Sequence, residues 1–359
     1  MIQFIMKRFF YGILVLFGVL TVVFMLFAIL PGDPARMITG QRADQETIKN
    51  IRKELGLDKP IFNQYLYYIN DILPISIHFA TDFDNSSIFF IEKYGNTFPL
   101  LKTSEMQVVV KKPYLRRSWQ SKRMVMDILA EAFPKTILLA VVSILFAMFA
   151  GVAIGAVVAM TDNKIVNKLV IIVTVFGMSL PSFFAAILIA WVFAFLLADY
   201  TGLSMFGSLY SVDHFGNGSY LDLKNLILPA FTLGIRPLAI VTELTRTSLS
   251  DVLSQDYIRT AYAKGLRKTR IILFHALRNA LNPVVTAVSG WFASLLAGAV
   301  FVEYVFDWKG IGVVIVDALE KFDLPVLMGS VLMIAFMLII INIFVDIVYG
   351  FLDPRIRIA

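Results

Sequence analysis

Long stretches of apolar residues limit what this chain can fold into. Residues 9–30 contain no charged side chain and are long enough to cross a bilayer as one helix. Further apolar stretches of span length follow at residues 136–160, 169–197, 226–246, 284–302 and 325–351. Because 58% of the residues are hydrophobic and only 16% are charged, we predict an all-α polytopic membrane protein with six transmembrane helices.

The short connections between these stretches differ in charge. Those predicted to face outside carry only Lys224, Lys309 and Lys321, whereas the two termini and the other short connections carry thirteen Arg or Lys residues. Short basic connections stay on the cytoplasmic side, so both termini are predicted to be cytoplasmic. No small-residue cleavage site follows residues 9–30, which we therefore predict to be retained as the first helix.

The most basic connection, residues 249–283, is patterned as a small module. Ile258, Ala261 and Gly265 share one face of a short helix, and Asp256 is suited to cap it. Gly265 also suits the left-handed conformation that ends a helix. We predict a helix, a glycine turn and a second helix at the membrane surface.

The residues of this module, DYIRTAYAKG followed by HALRNALNP, resemble the cytoplasmic loop of the membrane subunits of bacterial ABC importers. The loop pattern in that family is Glu-Ala-Ala, three residues, Gly, nine residues and Ile-x-Leu-Pro, and Ala261, Gly265 and Leu277 match it. The sequence is similar to the variant of the dipeptide, oligopeptide and nickel permease branch, B-type subunit. PGDP at residues 31–34 and GLDKP at residues 56–60 resemble the same branch.

This resemblance implies the type I ABC importer permease fold, in the bacterial cytoplasmic (inner) membrane. It implies that the short helix is a coupling helix docked in a groove of the ATPase, through Asp256, Tyr257, Arg259, Thr260, Ala261, Lys264 and Gly265. The expected partners are a second homologous permease subunit, two ABC ATPase subunits, an extracytoplasmic substrate-binding protein and membrane lipid, with no nucleic acid. No G-x-x-x-x-G-K-[ST] motif occurs, so ATP and Mg²⁺ are expected on the ATPase subunits and no cofactor on this chain.

Four regions are predicted along the chain. They are an N-terminal transmembrane helix (1–30), an extracytoplasmic segment (31–133), a five-helix permease core with the coupling loop (134–351) and a cytoplasmic tail (352–359). The family resemblance lapses in an insertion at about residues 74–123.

The insertion contains strand-like runs at residues 88–91 and 106–110. It also contains a basic cluster without acidic residues: Lys111, Lys112, Arg116, Arg117, Lys122 and Arg123. The cluster is either a solvated loop surface or a docking surface for a binding protein or lipid head groups.

Two spans carry residues that affect helix shape and packing. Gly151 and Gly155 form a small-xxx-small face for close helix contact. Ser179, Pro181 and Ser182 interrupt the third stretch, where a proline kinks a helix. These three residues either serve the kink alone or line a translocation path.

Ionisable and loop residues complete the candidate sites. Glu243 and Arg246 are three residues apart on one helix and are predicted to pair with each other rather than contact substrate. In the family, the connection after the fifth span faces the binding protein. The resemblance therefore places Trp308, Lys309 and Gly310 near the tip of that loop, with Trp308 at the interface.

The function predicted from the resemblance is a permease subunit that forms half of a translocation path for peptides. An importer of nickel chelates or other small solutes is an alternative within the branch. An ion-coupled secondary transporter is the alternative from another class, and Glu243 and Asp346 are its few acidic candidates. A membrane enzyme is disfavoured because the chain has no cysteine, no G-x-S-x-G and no H-E-x-x-H.

Overall fold

The computed structural model describes residues 2–29, 44–54, 57–79, 93–95, 97–103, 106–161, 163–212 and 218–352, most of them helical. The helices are α1 (Ile2–Ile29), α2 (Gln45–Glu54), α3 (Ile61–Ile72), α4 (Val125–Ala159), α5 (Lys164–Ser179), α6 (Ser182–Ile189), α7 (Ala198–Thr201), α8 (Lys224–Leu253), α9 (Asp256–Ala263), α10 (Lys268–Arg270), α11 (Leu277–Ala280), α12 (Asn282–Phe306), α13 (Ile311–Glu320) and α14 (Leu324–Leu352). Two π-helical segments, Ala190–Leu196 and Ile271–Ala276, follow α6 and α10 directly.

Short strands accompany these helices. The strands are β1 (Ile75–Phe79), β2 (Phe98–Lys102), β3 (Met106–Val110), β4 (Tyr210–Val212) and β5 (Ser219–Leu221). The first three form an antiparallel sheet in the order β1-β3-β2, and β4 pairs with β5. The predicted strand at 106–110 is confirmed, whereas residues 88–91, the PGDP run and the C-terminal tail after Leu352 lie outside the described residues.

Four continuous helices are long and apolar enough to cross a membrane: Met6–Ala28, Val125–Ala159, Lys224–Leu253 and Leu324–Ile347. Two bent pairs also have the required length and composition, Lys164–Ser179 with Ser182–Leu196 and Lys268–Ala280 with Asn282–Leu296. By length and composition, the described residues therefore provide four candidate spans, or up to six when each bent pair is taken as one span.

The third span is broken rather than kinked. Leu180 and Pro181 are both extended, with ψ of 129° and 138°, and the helices on either side meet at 112°. The proline ring disfavours helical geometry at the residue before it, which explains why Leu180 leaves the helix. The predicted proline kink is thus corrected to a near right-angle break.

The chain divides into two compact units, of which the first contains Met1–Tyr11, Ala132–Val316 and Phe336–Ala359. Helix α8 lies at the centre of its main apolar cluster, to which α4, α6 and α12 also contribute. A Cβ at Gly155 would lie 2.5 Å from the backbone oxygen of Thr242, and one at Gly151 would lie 2.7 Å from Val241. The predicted small-residue contact is therefore confirmed, with α8 as its partner.

The second unit contains Gly12–Glu131 and Asp317–Ala335. Its apolar cluster joins α1, α3 and α14 through the buried residues Leu20, Phe24, Tyr68 and Leu332. The Tyr65 hydroxyl and the Thr21 hydroxyl are 2.6 Å apart, which adds a polar contact between α1 and α3.

Candidate functional site

The predicted coupling module forms a small helical unit of its own. Ile258 and Ala261 on α9 are buried against Leu249 at the end of α8 and against Ile271 and Ala276 after the turn. This is the face that the sequence pattern predicted. Since α9 has only eight residues, its stability depends on this packing and not on helix propensity.

Both ends of α9 are defined by local backbone geometry. The residue before the helix is Gln255, and Asp256 is its first residue with a side chain that is 95% exposed. The prediction that Asp256 caps the helix is therefore corrected: its carboxylate lies 3.6 Å from Arg259 instead. Gly265 ends the module's first half with φ of +74°, as predicted, a conformation that suits glycine.

The opposite face of α9 is open to solvent. Of the seven predicted coupling residues, Ala261 is buried and the other six, Asp256, Tyr257, Arg259, Thr260, Lys264 and Gly265, are exposed. Tyr262 is exposed as well, and sequence reasoning missed it because the family pattern says nothing about that position. The Tyr257 hydroxyl accepts a hydrogen bond from Asn279 at 2.9 Å. Exposed tyrosine and arginine are enriched at protein interfaces, so Tyr257, Tyr262 and Arg259 favour contact with another protein.

The connection after the fifth span folds inward. Trp308 is fully buried in the main cluster of the first unit, and its indole nitrogen donates to the Lys135 backbone oxygen at 3.0 Å. Gly310 is buried too, whereas the Lys309 side chain is exposed. Trp308 therefore positions the loop and is not presented at a surface. Of the three residues predicted to contact a binding protein, only Lys309 has an exposed side chain.

Glu303 is a functional candidate that sequence reasoning missed. Its side chain is fully buried, and one carboxylate oxygen accepts a hydrogen bond from the Gly312 backbone nitrogen at 2.6 Å. A Cβ at Gly310 or Gly312 would collide with this carboxylate. The signal was an acidic residue at the end of an apolar span, followed by glycines seven and nine positions later.

The three residues at the break of the third span are partly accessible. Pro181 and Ser179 are exposed, and Ser182 is half-buried. The Ser179 hydroxyl donates to the Val175 backbone oxygen at 2.8 Å, so it already has a partner in its own helix. Their role in a translocation path stays a prediction.

The two acidic candidates for ion coupling, Glu243 and Asp346, are each paired with an arginine. Arg246 donates from Nε to the Glu243 carboxylate at 3.0 Å, which confirms the predicted pair. Asp346 on α14 lies 3.0 Å from Arg8 on α1.

Part of the predicted basic cluster surrounds one buried carboxylate, that of Asp71. Lys93 and the Tyr94 hydroxyl contact Asp71 at 2.9 and 2.6 Å, and Arg116 Nε lies 3.7 Å away. The Lys111 ammonium donates to the Asp71 backbone oxygen, and burial lowers the pKa of Lys111 to about 8. Burial and the neighbouring Asp71 raise the pKa of Tyr94. Asp71, Lys93, Tyr94, Lys111 and Arg116 are called the Asp71 cluster below. The cluster contains three basic side chains and one carboxylate.

Comparisons with known proteins found matches to two family models, to curated relatives and to solved structures. Residues 151–358 match the family described as binding-protein-dependent transport system inner membrane component, and residues 1–88 match its N-terminal membrane component family. The glutathione transport system permease protein GsiC of Escherichia coli K12 is 34% identical over 357 residues, 99% of each chain. GsiC of Shigella flexneri serotype 5b is also 34% identical over 99% of each chain. The solved MetNI methionine ABC transporter, in inward-facing conformations, has a TM-score of 0.49 and 15% identity, covering 64% of this chain and 97% of that chain.

Proposed function

Because the chain belongs to the family of inner membrane components of binding-protein-dependent transport systems, and is a permease subunit of an ABC importer of the peptide branch, we propose a substrate and a coupling route for it. As a permease it is a transport component and not an enzyme, and it lies in the inner membrane as a multi-pass protein. An ABC importer also requires ATPase and substrate-binding partners.

The proposed substrates are short peptides. The support is the identity of 34% over nearly the whole length to permeases that are named for glutathione, itself a tripeptide. Nickel chelates and other small solutes are the competing substrates in this branch. Uptake of labelled dipeptides, tripeptides, glutathione and a nickel chelate by the complete transporter tests the proposal. Accumulation of the nickel chelate without any peptide would refute it.

The proposed coupling route passes through α9. Two ATPase subunits that bind ATP and Mg²⁺ would each receive a coupling helix, one from this chain and one from a second homologous permease. The single observation that supports this role is the division of α9 into a buried face, with Ile258 and Ala261, and an exposed polar face. Because one side of α9 is packed against the module, a force on its exposed side would be transmitted to the spans. Nucleotide binding to the ATPase subunits would then bias the two permease subunits between their two conformational states.

We predict that Gly265→Val reduces ATP-driven uptake about tenfold, whereas Gly265→Asn retains most of it. No atom lies within 4 Å of a Cβ placed on Gly265, so both side chains have room. The two variants differ in the conformational energy of the backbone at position 265, because asparagine tolerates a φ of +74° and the β-branched valine does not. Uptake and co-purification of the ATPase are the measurements. Equal losses in both variants would show that the left-handed turn is not what matters.

We also propose that both termini and the module face the cytoplasm, with the Asp71 cluster outside. The Arg8–Asp346 pair supports a common side for the two termini, because it joins the start of α1 to the last turns of α14. The chain has no cysteine, so single cysteines report cleanly. In intact cells, an impermeant maleimide is expected to label Lys112→Cys and to leave Lys264→Cys unlabelled until the cells are opened. The reverse pattern would invert the proposed topology.

A further inference from the structure

An open groove in the second unit lies at the end of two membrane spans. Its apolar walls include Phe24, Phe27, Leu115, Trp119, Pro325 and Met328. Phe24 and Phe27 belong to the last turns of the first span, and Pro325 and Met328 to the first turns of the last span. The groove therefore lies where the hydrocarbon of the bilayer meets the head groups. Trp119 suits that level, since tryptophan is enriched at membrane interfaces.

Tyr68 gives this apolar groove an unsatisfied polar group. The residue lines the groove, is 4% exposed, and its hydroxyl has no hydrogen-bond partner. A buried hydroxyl without a partner lowers stability by the cost of its desolvation, so an acceptor from outside the chain would relieve that cost. An apolar ligand with an oxygen acceptor at one end fits the requirement.

Arg116 supplies positive charge at the same place. It lines the groove, and its guanidinium carbon lies 5.5 Å from the centre of the Tyr68 ring. The distance of 3.7 Å from its Nε to Asp71 is too long for a hydrogen bond, so this pair leaves the guanidinium donors available. The Asp71 cluster, with Lys93 and Lys111, adds further positive charge and one opposing carboxylate.

The wall that carries Trp119 is fixed in place. The Trp119 backbone nitrogen donates to the Asp323 carboxylate at 3.1 Å, and the Ser118 hydroxyl donates to the same carboxylate. Asp323 directly precedes α14, so the groove is preformed between elements that are already tied together.

We propose that this groove binds an anionic glycerophospholipid. An acyl chain would pack against the apolar walls, and the phosphate would accept hydrogen bonds from the Tyr68 hydroxyl and the Arg116 guanidinium. An acyl chain accounts for the location of the groove at two span ends, and a phosphate accounts for the unpartnered hydroxyl beside a cation. Under the topology proposed above, the lipid comes from the outer leaflet.

The test compares two lipids that differ only in the phosphate head group. Native mass spectrometry of the complete transporter is used to measure the apparent Kd of phosphatidylglycerol and of a diacylglycerol with the same acyl chains. The wild type is expected to bind phosphatidylglycerol about tenfold more tightly. Tyr68→Phe should weaken phosphatidylglycerol about tenfold and leave diacylglycerol unchanged, which is the effect of losing one hydrogen bond to a charged group. Arg116→Gln should weaken phosphatidylglycerol at least as much.

Two matched variants control for the chemistry of each change. Tyr67→Phe removes the hydroxyl of an exposed neighbour that already accepts a hydrogen bond from Lys59, and Lys112→Gln removes an exposed charge. Both should bind phosphatidylglycerol within about twofold of the wild type, because neither residue lines the groove. Without lipid, Tyr68→Phe should melt no lower than the wild type, since its hydroxyl has no partner to lose.

Three results would overturn the proposal. Tyr68→Phe could bind phosphatidylglycerol as the wild type does, or the wild type could fail to discriminate between the two lipids. Displacement of phosphatidylglycerol by an equal concentration of inorganic phosphate would instead assign a site for free anions.

Discussion

Replacing Ile258 by alanine is expected to reduce ATP-driven uptake at least about tenfold while leaving the chain inserted in the membrane. Ile258 is fully buried and is the largest buried side chain of α9 in the module cluster. Truncation of a buried isoleucine to alanine costs about 2–5 kcal/mol. A helix of eight residues has little stability of its own, so this loss should detach α9. Uptake and the amount of ATPase that co-purifies with the chain are the measurements.

Graded and matched variants show whether the loss arises from the module. Ile258→Val removes one methylene and costs about 0.5–1.5 kcal/mol, so it should retain most of the uptake. Ile165→Ala makes the same change at an isoleucine that is 70% exposed on α5, and should leave uptake within about twofold of the wild type. Normal uptake by Ile258→Ala would remove α9 from the coupling route.

Adding a single methyl group at Gly155 is expected to destabilise the first unit by about 3 kcal/mol. The new Cβ would lie 2.5 Å from the backbone oxygen of Thr242 and 2.7 Å from the Cβ of Thr245. Because the first of these contacts is backbone, α4 and α8 must move apart to relieve it. Thermal unfolding of the purified Gly155→Ala chain measures the effect.

Gly18→Ala is the matched control, since it makes the same change inside another helix. No atom lies within 4 Å of a Cβ at Gly18, so only the helix preference of alanine remains. That preference should leave stability unchanged or raise it by up to about 1 kcal/mol. If Gly155→Ala unfolded at the wild-type temperature, the close contact between α4 and α8 would be contradicted.

Features set by local spacing could be predicted from the sequence. The buried face of α9, the left-handed Gly265, the Glu243–Arg246 pair and the Gly151–Gly155 contact surface all follow from distances of a few residues along one helix. Apolar runs of about twenty residues likewise specify spans without knowledge of their neighbours. The neighbours themselves were not predictable, and the sequence did not indicate that α8 packs on the two glycines.

Features that depend on distant neighbours escaped prediction. The sequence suggests that Trp308 is an interfacial residue, yet it is fully buried in the main apolar cluster and donates a hydrogen bond to the Lys135 backbone oxygen. Strand β1 reverses the usual pattern: Ser76 and His78 are buried and bonded to each other at 2.9 Å, while Ile75 and Ile77 are exposed. The alternation in this strand therefore predicts the wrong buried face, because it assigns the isoleucines to the core. The proline at 181 indicated a bend, but no residue type indicates an angle of 112°.

Helix α8 has a mechanical consequence for transport. It runs without a break for 30 residues, roughly 45 Å, from the apolar cluster around Leu226 and Leu228 to the module cluster at Leu249. Its two ends thus pack in different clusters, and under the coupling route proposed above the helix would carry motion from the module to the main cluster. Over the roughly 35 Å between Leu249 and Leu226, a tilt of about 5° imposed at Leu249 would displace the far end by about 3 Å. Pro229 and Pro237 lie inside this helix, and bending at either proline would reduce the displacement that reaches Leu226.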